Sequence, residues 1–255
     1  MKIGICKLCG ETKEIVNSHI IPKAAYKRLL AKSIKSPHPM MIENKTAPYQ
    51  TSRQHSEYML CKICENIIKT KGEDYILKNV FQVDGTCSLL DLLKRRIPAD
   101  QYDGAEDISI YQIKEIDWEK IKYFALSVLW RASVAERNHF DSFQPLPINY
   151  NESLRQSLLG YRASENFYVR FSILKTNKFS RMIFLPSGHT DQKGFYKYGF
   201  FMNGCMFQIE GPLVTNEFKI GSTDNRVLFC MPVAKSNYLK DALRFVRNKR
   251  KETIS

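Results

Sequence analysis

Cys6-Lys7-Leu8-Cys9 and Cys61-Lys62-Ile63-Cys64 share one format and decide how the first part of the chain folds. Two residues between the cysteines let both thiolates of a tight turn bind one ion, and two such pairs complete a tetrahedral four-thiolate site. Gly10 follows the first pair, where a turn of this kind favours a residue that adopts positive φ. Four unrelated buried thiols would not be expected to share this spacing. The predicted ligands of a structural zinc ion are Cys6, Cys9, Cys61 and Cys64.

The composition indicates a folded and strongly basic protein. The chain has 255 residues, enough for one large domain or two smaller ones, and 44% of them are hydrophobic. Lys and Arg total 39 against 26 Asp and Glu, which gives a formal net charge of +13. The common reason for such an excess is a polyanionic partner, because each cation bound to a phosphate releases condensed counterions. We therefore expect nucleic acid, although some basic proteins have no such partner and charge does not distinguish DNA from RNA.

The N-terminal residues and the cysteine content bear on the cellular compartment of the protein. Residues 1–5 lead directly into Cys6 without the apolar segment of a signal peptide, and no run approaches the roughly 20 apolar residues of a membrane span. We therefore expect a cytoplasmic protein with no membrane partner. In that reducing compartment, the seven cysteines do not predict disulfides. Cys87, Cys205 and Cys230 are expected to be buried thiols that pack as small apolar side chains.

The sequence predicts an α+β fold in two parts. Residues 1–80 form the zinc-stabilised module, and residues 81–255 form a second α+β domain to which the sequence assigns no activity. Within that second part, we expect a mainly helical segment at 81–160, a mainly β segment at 161–234 and a basic amphipathic helix at 235–251.

Local signals predict the elements of the first part. A strand over 14–21 ends at Pro22, which begins a helix, because proline is favoured at the first helical position. The proline-containing and polar segment 33–54 is expected to be a long loop that bulges out of the module. A second helix is predicted from Cys61 to Val80, with an interruption at Gly72.

The second part combines one strong helix with several strands. Residues 117–137 predict a helix that is apolar nearly all round and therefore buried, and residues 154–159 predict a further helix that ends at Gly160. An antiparallel sheet of about five strands is expected to pack on the first of these helices. Its predicted strands cover residues 167–174, 181–185, 198–202, 205–209 and 226–230.

Ser18-His19-Ile20-Ile21-Pro22 lies between the two cysteine pairs, and Glu65 directly follows the second pair. The chain thus contains a Cys-x-x-Cys pair, a strand that ends in a His-Ile-x-Pro motif, and a second Cys-x-x-Cys pair that runs into a helix. In this order of motifs the chain resembles HNH endonucleases, whose catalytic module has a ββα-metal, or treble-clef, fold. The resemblance covers about residues 3–80.

The resemblance implies a nuclease with a separate catalytic cation, Mg²⁺ or Mn²⁺. The family's histidine is the general base that activates water, and this role falls on His19, because a neutral imidazole suits it. Ser18 replaces the family's metal-binding Asp, and Glu65 replaces its helical Asn or His. We expect the carboxylate to have moved from the strand to the helix, so that Ser18 and Glu65 bind the cation. The structural alternatives are a capping role for His19 and a solvated Glu65 that the helix dipole favours.

Several residues near the motif are further candidates. Glu73 and His55 are the next metal-site candidates, although a structural role is the better interpretation of both. Lys23, Lys27 and Arg28 closely follow His19 and are predicted to contact phosphates of a nucleic acid.

Two functions remain open from the sequence. The first is a metal-dependent endonuclease that acts on nucleic acid. The resemblance makes DNA the expected substrate and defence of bacteria against phage the expected context. Residues 81–255 would then control the nuclease through a protein partner, a small ligand or self-association. The second function is a non-catalytic, zinc-binding treble-clef module that binds nucleic acid or a protein partner, which Ser18 in place of the aspartate favours.

Overall fold

The structure is a computed structural model. It describes residues 2–30, 40–42, 49–50, 54–81, 87–98, 100–102, 105–136, 143–161, 167–175, 182–211 and 227–231. These residues form a mixed α+β fold in which most strand pairs are antiparallel, as the sequence predicts. The basic helix predicted at 235–251 lies outside the described residues.

The described residues form strands and helices throughout their length. The strands are β1 (Lys2–Ile5), β2 (Thr12–His19), β3 (Met40–Ile42), β4 (Tyr49–Gln50), β5 (Ser56–Cys61), β6 (Asp100–Tyr102), β7 (Ala105–Gln112), β8 (Tyr168–Leu174), β9 (Met182–Thr190), β10 (Tyr196–Met202), β11 (Cys205–Gly211) and β12 (Val227–Met231). The α-helices are α1 (Lys23–Leu30), α2 (Lys62–Ile68), α3 (Asp74–Asn79), α4 (Ser88–Leu93), α5 (Trp118–Val134) and α6 (Ile148–Leu159). A π-helical turn, Lys69–Glu73, joins α2 to α3.

A small antiparallel sheet contains the first cysteine pair and the His19 motif. Its strand order is β1-β2-β5. The turn between β1 and β2 carries the first cysteine pair, and β2 ends at His19, opposite Ser56 of β5. The predicted strand at 14–21 is thus confirmed as β2, and the helix predicted from Pro22 begins one residue later as α1.

The helix predicted from Cys61 to Val80 is confirmed with one irregularity. Its path runs through α2, the π-helical turn and α3, and Gly72 lies in the π-helical turn. A Cβ atom at Gly72 would lie 3.0 Å from both the backbone nitrogen and the Cα atom of Phe124 in α5. Glycine therefore allows the two helical segments to approach each other closely.

The second sheet is larger than the sequence predicts. It has nine strands among the described residues, in the order β4-β3-β9-β10-β11-β8-β12-β7-β6. The five predicted strands are confirmed as β8 to β12. The sheet is mainly antiparallel, as predicted, but β12 pairs with β8 in parallel and β3 pairs with β9 in parallel.

Four further strands of this sheet come from two segments that the sequence predicts to be a loop or mainly helical. The segment 33–54, predicted to be a loop, supplies β3 and β4, and the segment 81–160, predicted to be mainly helical, supplies β6 and β7. Strands β3, β4 and β6 are two or three residues long, which is too short for an alternating pattern of apolar and polar residues. Pairing with neighbouring strands of the sheet stabilises them instead.

Helix α5 forms the centre of the core. The side chain of Asp117 caps its first turn by accepting a hydrogen bond from the Lys120 N–H, at 3.2 Å. Phe124 of α5 contacts Phe200 and Phe207 of the large sheet edge-on, with ring centroids 6.0 and 5.4 Å apart. The predicted buried helix is confirmed, and so is α6, which ends at Gly160 with φ of 88°.

One hydrophobic cluster extends through both predicted parts. It includes Cys6 and Ile20 near the cysteine pairs, Phe124 of α5 and Phe207 of the large sheet. The division of the chain at residue 80 stays a prediction, and the buried side chains on its two sides pack together. None of the described helices combines the length and the apolar character that a bilayer span requires.

Candidate metal centre and the adjoining polar site

The four predicted cysteine ligands lie together. The ligand atoms of Cys6, Cys9, Cys61 and Cys64 are all within 4.8 Å of one another. Four thiolates bound to zinc at about 2.3 Å lie about 3.8 Å apart, so this spacing fits the ion. The first pair lies on the turn after β1, and the second spans the end of β5 and the first turn of α2. The cluster can therefore hold a metal ion such as zinc.

The backbone around the cluster prepares the thiols for a cation. Gly10 adopts φ of 80°, and its N–H donates to the carbonyl of Cys6 at 2.8 Å. The Cys61 N–H donates to the Cys6 sulfur at 3.3 Å. Burial acts to raise the pKa of Cys6, but hydrogen bonds from backbone N–H groups outweigh it and lower that pKa overall. Burial and the neighbouring thiols raise the pKa of Cys64, and a bound cation would offset this cost of forming the thiolate.

Ser18 and Glu65 meet beside the cluster. The Ser18 hydroxyl donates a hydrogen bond to a Glu65 carboxylate oxygen at 2.7 Å, although 47 residues separate them in sequence. Ser18 is fully buried in β2, whereas Glu65 is half-buried in the first turn of α2. The structure thus brings together the two residues that the sequence predicts as ligands of a catalytic cation.

His19 is the next residue along β2 and is half-buried. Burial lowers its pKa below the usual histidine range, and the charge of Lys23 lowers it further. A hydrogen bond with the Gln54 side chain opposes this shift. The imidazole is therefore neutral at neutral pH, which is the form that a general base requires.

Arg131 is a site residue that the sequence interpretation missed. It lies in α5 and is 1% exposed, yet one guanidinium nitrogen, Nη1, donates to the His19 carbonyl at 2.7 Å. The same nitrogen lies 2.7 Å from a carboxylate oxygen of Glu73 in the π-helical turn. The available signal was a lone arginine in a helix that is apolar nearly all round, because such a cation requires buried partners.

The two lesser metal-site candidates both have buried positions. Burial raises the pKa of Glu73, while the charge of Arg131 lowers it and that of Glu65 raises it again. The Glu73 carboxylate therefore lies close enough to both Arg131 and Glu65 for their charges to act on it. The side chain of His55 is buried, and its backbone carbonyl accepts a hydrogen bond from the Ile20 N–H at 3.0 Å.

The three predicted phosphate contacts differ in their surroundings. Lys23 and Lys27 are exposed on α1, directly after the motif. Arg28 is half-buried and donates a hydrogen bond to the backbone carbonyl of Phe81, and burial lowers the pKa of its guanidinium. Both lysines therefore present exposed positive charge on α1, and the charge of Lys23 reaches His19. Arg28 instead connects α1 to Phe81, after the end of α3.

A groove with mixed charge crosses the small sheet near the strand partner of His19. It has a volume of about 380 Å³, and the Lys2 ammonium lies 5.0 Å from the centre of the Tyr58 ring at its side. Its two glutamates make it less suitable than α1 for a phosphate backbone. The described residues that line it are Lys2, Asn17, Ser56, Glu57, Tyr58 and Glu136.

Comparison with protein-family models, with curated proteins and with solved structures finds no match for this chain. The chemistry of the site therefore follows from its own side chains. These are a four-thiol cluster, a half-buried carboxylate held by a serine, a neutral imidazole on the neighbouring residue, and two exposed lysines.

Proposed function

We propose that the chain is a metal-dependent, HNH-like endonuclease that hydrolyses phosphodiester bonds of nucleic acid, with DNA as the expected substrate. The observation that carries this proposal is the 2.7 Å contact between Ser18 and Glu65, next to His19 on the same strand. A hydroxyl and a carboxylate suit a hard divalent cation, and an imidazole beside them suits the activation of water.

The residues divide the chemistry between them. The neutral imidazole of His19 removes a proton from the attacking water. Glu65 binds Mg²⁺ or Mn²⁺, and the Ser18 hydroxyl fixes the orientation of its carboxylate. The cation, when bound, stabilises the negative charge that develops on the phosphate and on the leaving oxygen. A cation of this kind keeps several water ligands and takes others from the substrate, so few protein ligands suffice.

The cysteine cluster has a structural role in this proposal. Four thiolates leave no open coordination position, so zinc would act by joining the turn after β1 to the start of α2. The order of this turn, the β2–β5 pair and α2 supports a treble-clef module. Zinc then holds the strand that carries His19 against the helix that carries Glu65.

The charge of the chain supports a polyanionic substrate. The net charge is +13, and Lys23 and Lys27 are exposed next to the site. Lys23 is close enough to His19 for its charge to lower the pKa of the imidazole. Phosphates bound by these lysines would bring a phosphodiester to His19.

One observation favours the alternative, a non-catalytic zinc module that binds nucleic acid or a protein. Ser18 is fully buried and its proton is directed at Glu65. Glu73, the neighbouring carboxylate, pairs with Arg131. Of these site residues, Glu65 alone then offers a free negative charge to a divalent cation, and one carboxylate gives a weak site.

A cleavage assay with matched variants separates the two functions. Supercoiled plasmid, single-stranded DNA and RNA are incubated with the protein in Mg²⁺ or Mn²⁺, or with neither. We expect cation-dependent cleavage that His19→Ala and Glu65→Gln each reduce on the order of 10²-fold or more. His189→Ala and Glu119→Gln, which change exposed residues of the same types elsewhere, should leave cleavage unchanged.

The outcomes decide between the proposals. Cleavage that survives both site substitutions overturns the assignment of His19 and Glu65. The binding module is supported if the wild-type protein shifts nucleic acid in a mobility-shift assay but cleaves no substrate with either cation.

A further inference from the structure

We infer that Arg131 of α5 is a positioning residue for His19, acting through the peptide unit that follows it. The inference rests on the proposed function for its catalytic consequence, and on the hydrogen bonds of that peptide unit for its structural basis. It assigns to the site a residue beyond position 80, in the part of the chain for which the sequence motifs predict no functional group.

The peptide unit between His19 and Ile20 is held from both sides. Its carbonyl accepts a hydrogen bond from Arg131 Nη1 at 2.7 Å. Its N–H donates to the carbonyl of His55 at 3.0 Å. This peptide lies at the end of β2, so the bond to His55 anchors its N–H edge and Arg131 anchors its carbonyl edge. Two hydrogen bonds fix its plane, which sets the ψ angle of His19 and so constrains the direction in which its Cα–Cβ bond leaves the strand.

Stability alone does not account for an arginine in this place. Arg131 is 1% exposed in the core helix, and a buried ion pair is often no more stabilising than apolar residues of similar volume. Two further nitrogens contact Ser127, since Nε donates to its carbonyl at 3.2 Å and Nη2 to its hydroxyl at 3.5 Å. The guanidinium is therefore held in one orientation, as positioning requires.

The π-helical turn brings the counter-charge to Arg131. A π-helical turn contains one more residue than an α-helical turn, which rotates the following side chains by about 100° around the axis. Glu73 is the last residue of this turn, and its carboxylate lies 2.7 Å from Arg131 Nη1. Gly72 permits the close contact with α5 that the pair needs. Three independent features, a π-helical turn, a glycine and a buried ion pair, thus converge on Arg131.

The same helix end also holds the cysteine turn. The Lys7 ammonium donates to the Val134 carbonyl at 2.7 Å, at the end of α5. Arg155 of α6 donates to the Leu8 carbonyl at 2.5 Å. Helix α5 therefore contacts both the cysteine turn, through the Val134 carbonyl, and the end of β2, through Arg131.

The test uses the full-length, zinc-loaded protein and four variants. Arg131→Met leaves Glu73 buried without its counter-charge and is the variant at risk of unfolding. Arg131→Met combined with Glu73→Gln removes both charges and avoids that cost. Arg131→Lys keeps a donor for the His19 carbonyl. Arg170→Met is the matched control, since Arg170 pairs with Glu210 in the large sheet at 3.5 Å.

Two readouts are measured on each folded variant. The first is kcat and KM for cleavage. We expect the double variant to lose on the order of 10²-fold in kcat with KM nearly unchanged, because a misplaced base affects the chemical step. The second is the amide exchange rate of Ile20, whose N–H donates to the His55 carbonyl. It should rise about fivefold, because the same peptide unit loses its support at the His19 carbonyl, while β10 and β11 keep their rates. Arg131→Lys should restore part of both, and Arg170→Met should change neither.

The inference is overturned if the folded double variant keeps the wild-type kcat and the wild-type exchange rate at Ile20. If neither methionine variant folds, Arg131→Lys decides, because a positioning role requires a lower kcat at unchanged melting temperature. If the wild-type protein cleaves no substrate, the proposed function fails, and the exchange rate of Ile20 then decides the inference without it.

Discussion

The two sheets of this protein are held together by different kinds of interaction. The small sheet depends on polar and metal-ligating groups, since the cysteine cluster, the Ser18–Glu65 hydrogen bond and Arg131 surround it. Its outer face leaves Ile3 and Ile5 more than half exposed. The large sheet packs aromatic rings on α5 instead, with Phe200 and Phe207 stacked at 4.7 Å.

This difference follows from size. The large sheet, which has nine strands in the part of the chain that the structure describes, packs on a buried helix and removes enough apolar surface from water to be stable by that means. Three short strands cannot do so, and small modules commonly rely on a metal ion. The region with the candidate site therefore adds a cysteine cluster and polar contacts to the buried side chains that it shares with the large sheet, and it should respond to metal removal more strongly than the large sheet does.

Removal of the metal should have the largest effect, because it should disrupt the small sheet and leave the large sheet intact. Cys64→Ser takes one thiolate from the cluster, and structural zinc contributes on the order of 10 kcal/mol to small domains. We expect loss of bound zinc, measured by mass spectrometry of the metal. Amide protection should disappear in β1 and β2, while β10 and β11 keep theirs. Cys205→Ala, which changes a buried thiol of the large sheet, is the control and should retain zinc. Full protection of β2 in a zinc-free Cys64→Ser protein would contradict the contrast.

A core substitution should give the opposite pattern. Phe207 contacts the rings of Phe124, Phe171 and Phe200 at centroid distances of 5.4, 4.9 and 4.7 Å. Phe207→Ala should lower the free energy of unfolding by about 3–5 kcal/mol, measured by denaturant titration, without loss of zinc from the native protein. The control is Phe195→Ala, because that ring is half-exposed. Zinc release from natively folded Phe207→Ala protein would show that the two regions are not separable in this way.

The sequence predicts those parts of the protein that local patterns specify. The cysteine pairs, β2, α5 and the strands β8 to β12 each carry their own signal, whether ligand spacing, apolar periodicity or turn residues. The proximity of Ser18 and Glu65 was also predicted, from the resemblance in the order of motifs, and the two side chains lie 2.7 Å apart.

The remaining features depend on contacts between distant residues. Strands β3 and β4 are too short to carry a pattern; β3 pairs with the edge of β9, and β4 pairs with β3. The parallel pairing of β12 with β8 depends on how the chain returns to the sheet. Arg131 contacts His19 across 112 residues of sequence, so neither residue predicts the other. The catalytic assignment could be proposed from sequence, whereas its supporting arginine could not.

A substitution at Gly72 tests the contact between the π-helical turn and α5, and its expected effect on stability is intermediate. A Cβ atom there would press against the Phe124 backbone at 3.0 Å, and backbone cannot move aside as a flexible side chain can. Gly72→Ala should therefore cost about 1–3 kcal/mol of stability through overpacking, despite the better helix propensity of alanine. The measurement is the denaturation midpoint, with Thr70→Ala in the same π-helical turn as the exposed control. An increase in stability would mean that α5 does not pack this closely on the turn.

The smallest effect is expected at Ser18, and it bears most directly on the site. Ser18→Ala removes the hydrogen bond to Glu65, whose carboxylate is half-buried and can be rehydrated, so the stability loss should be about 1 kcal/mol. Ser88→Ala removes a comparable hydroxyl, which donates to the Asn79 carbonyl at 2.6 Å, and is the control for stability. Cleavage should fall in Ser18→Ala and not in Ser88→Ala, because only the former releases Glu65. Equal cleavage by both variants would remove Ser18 from the proposed site and leave Glu65 to bind the cation unaided.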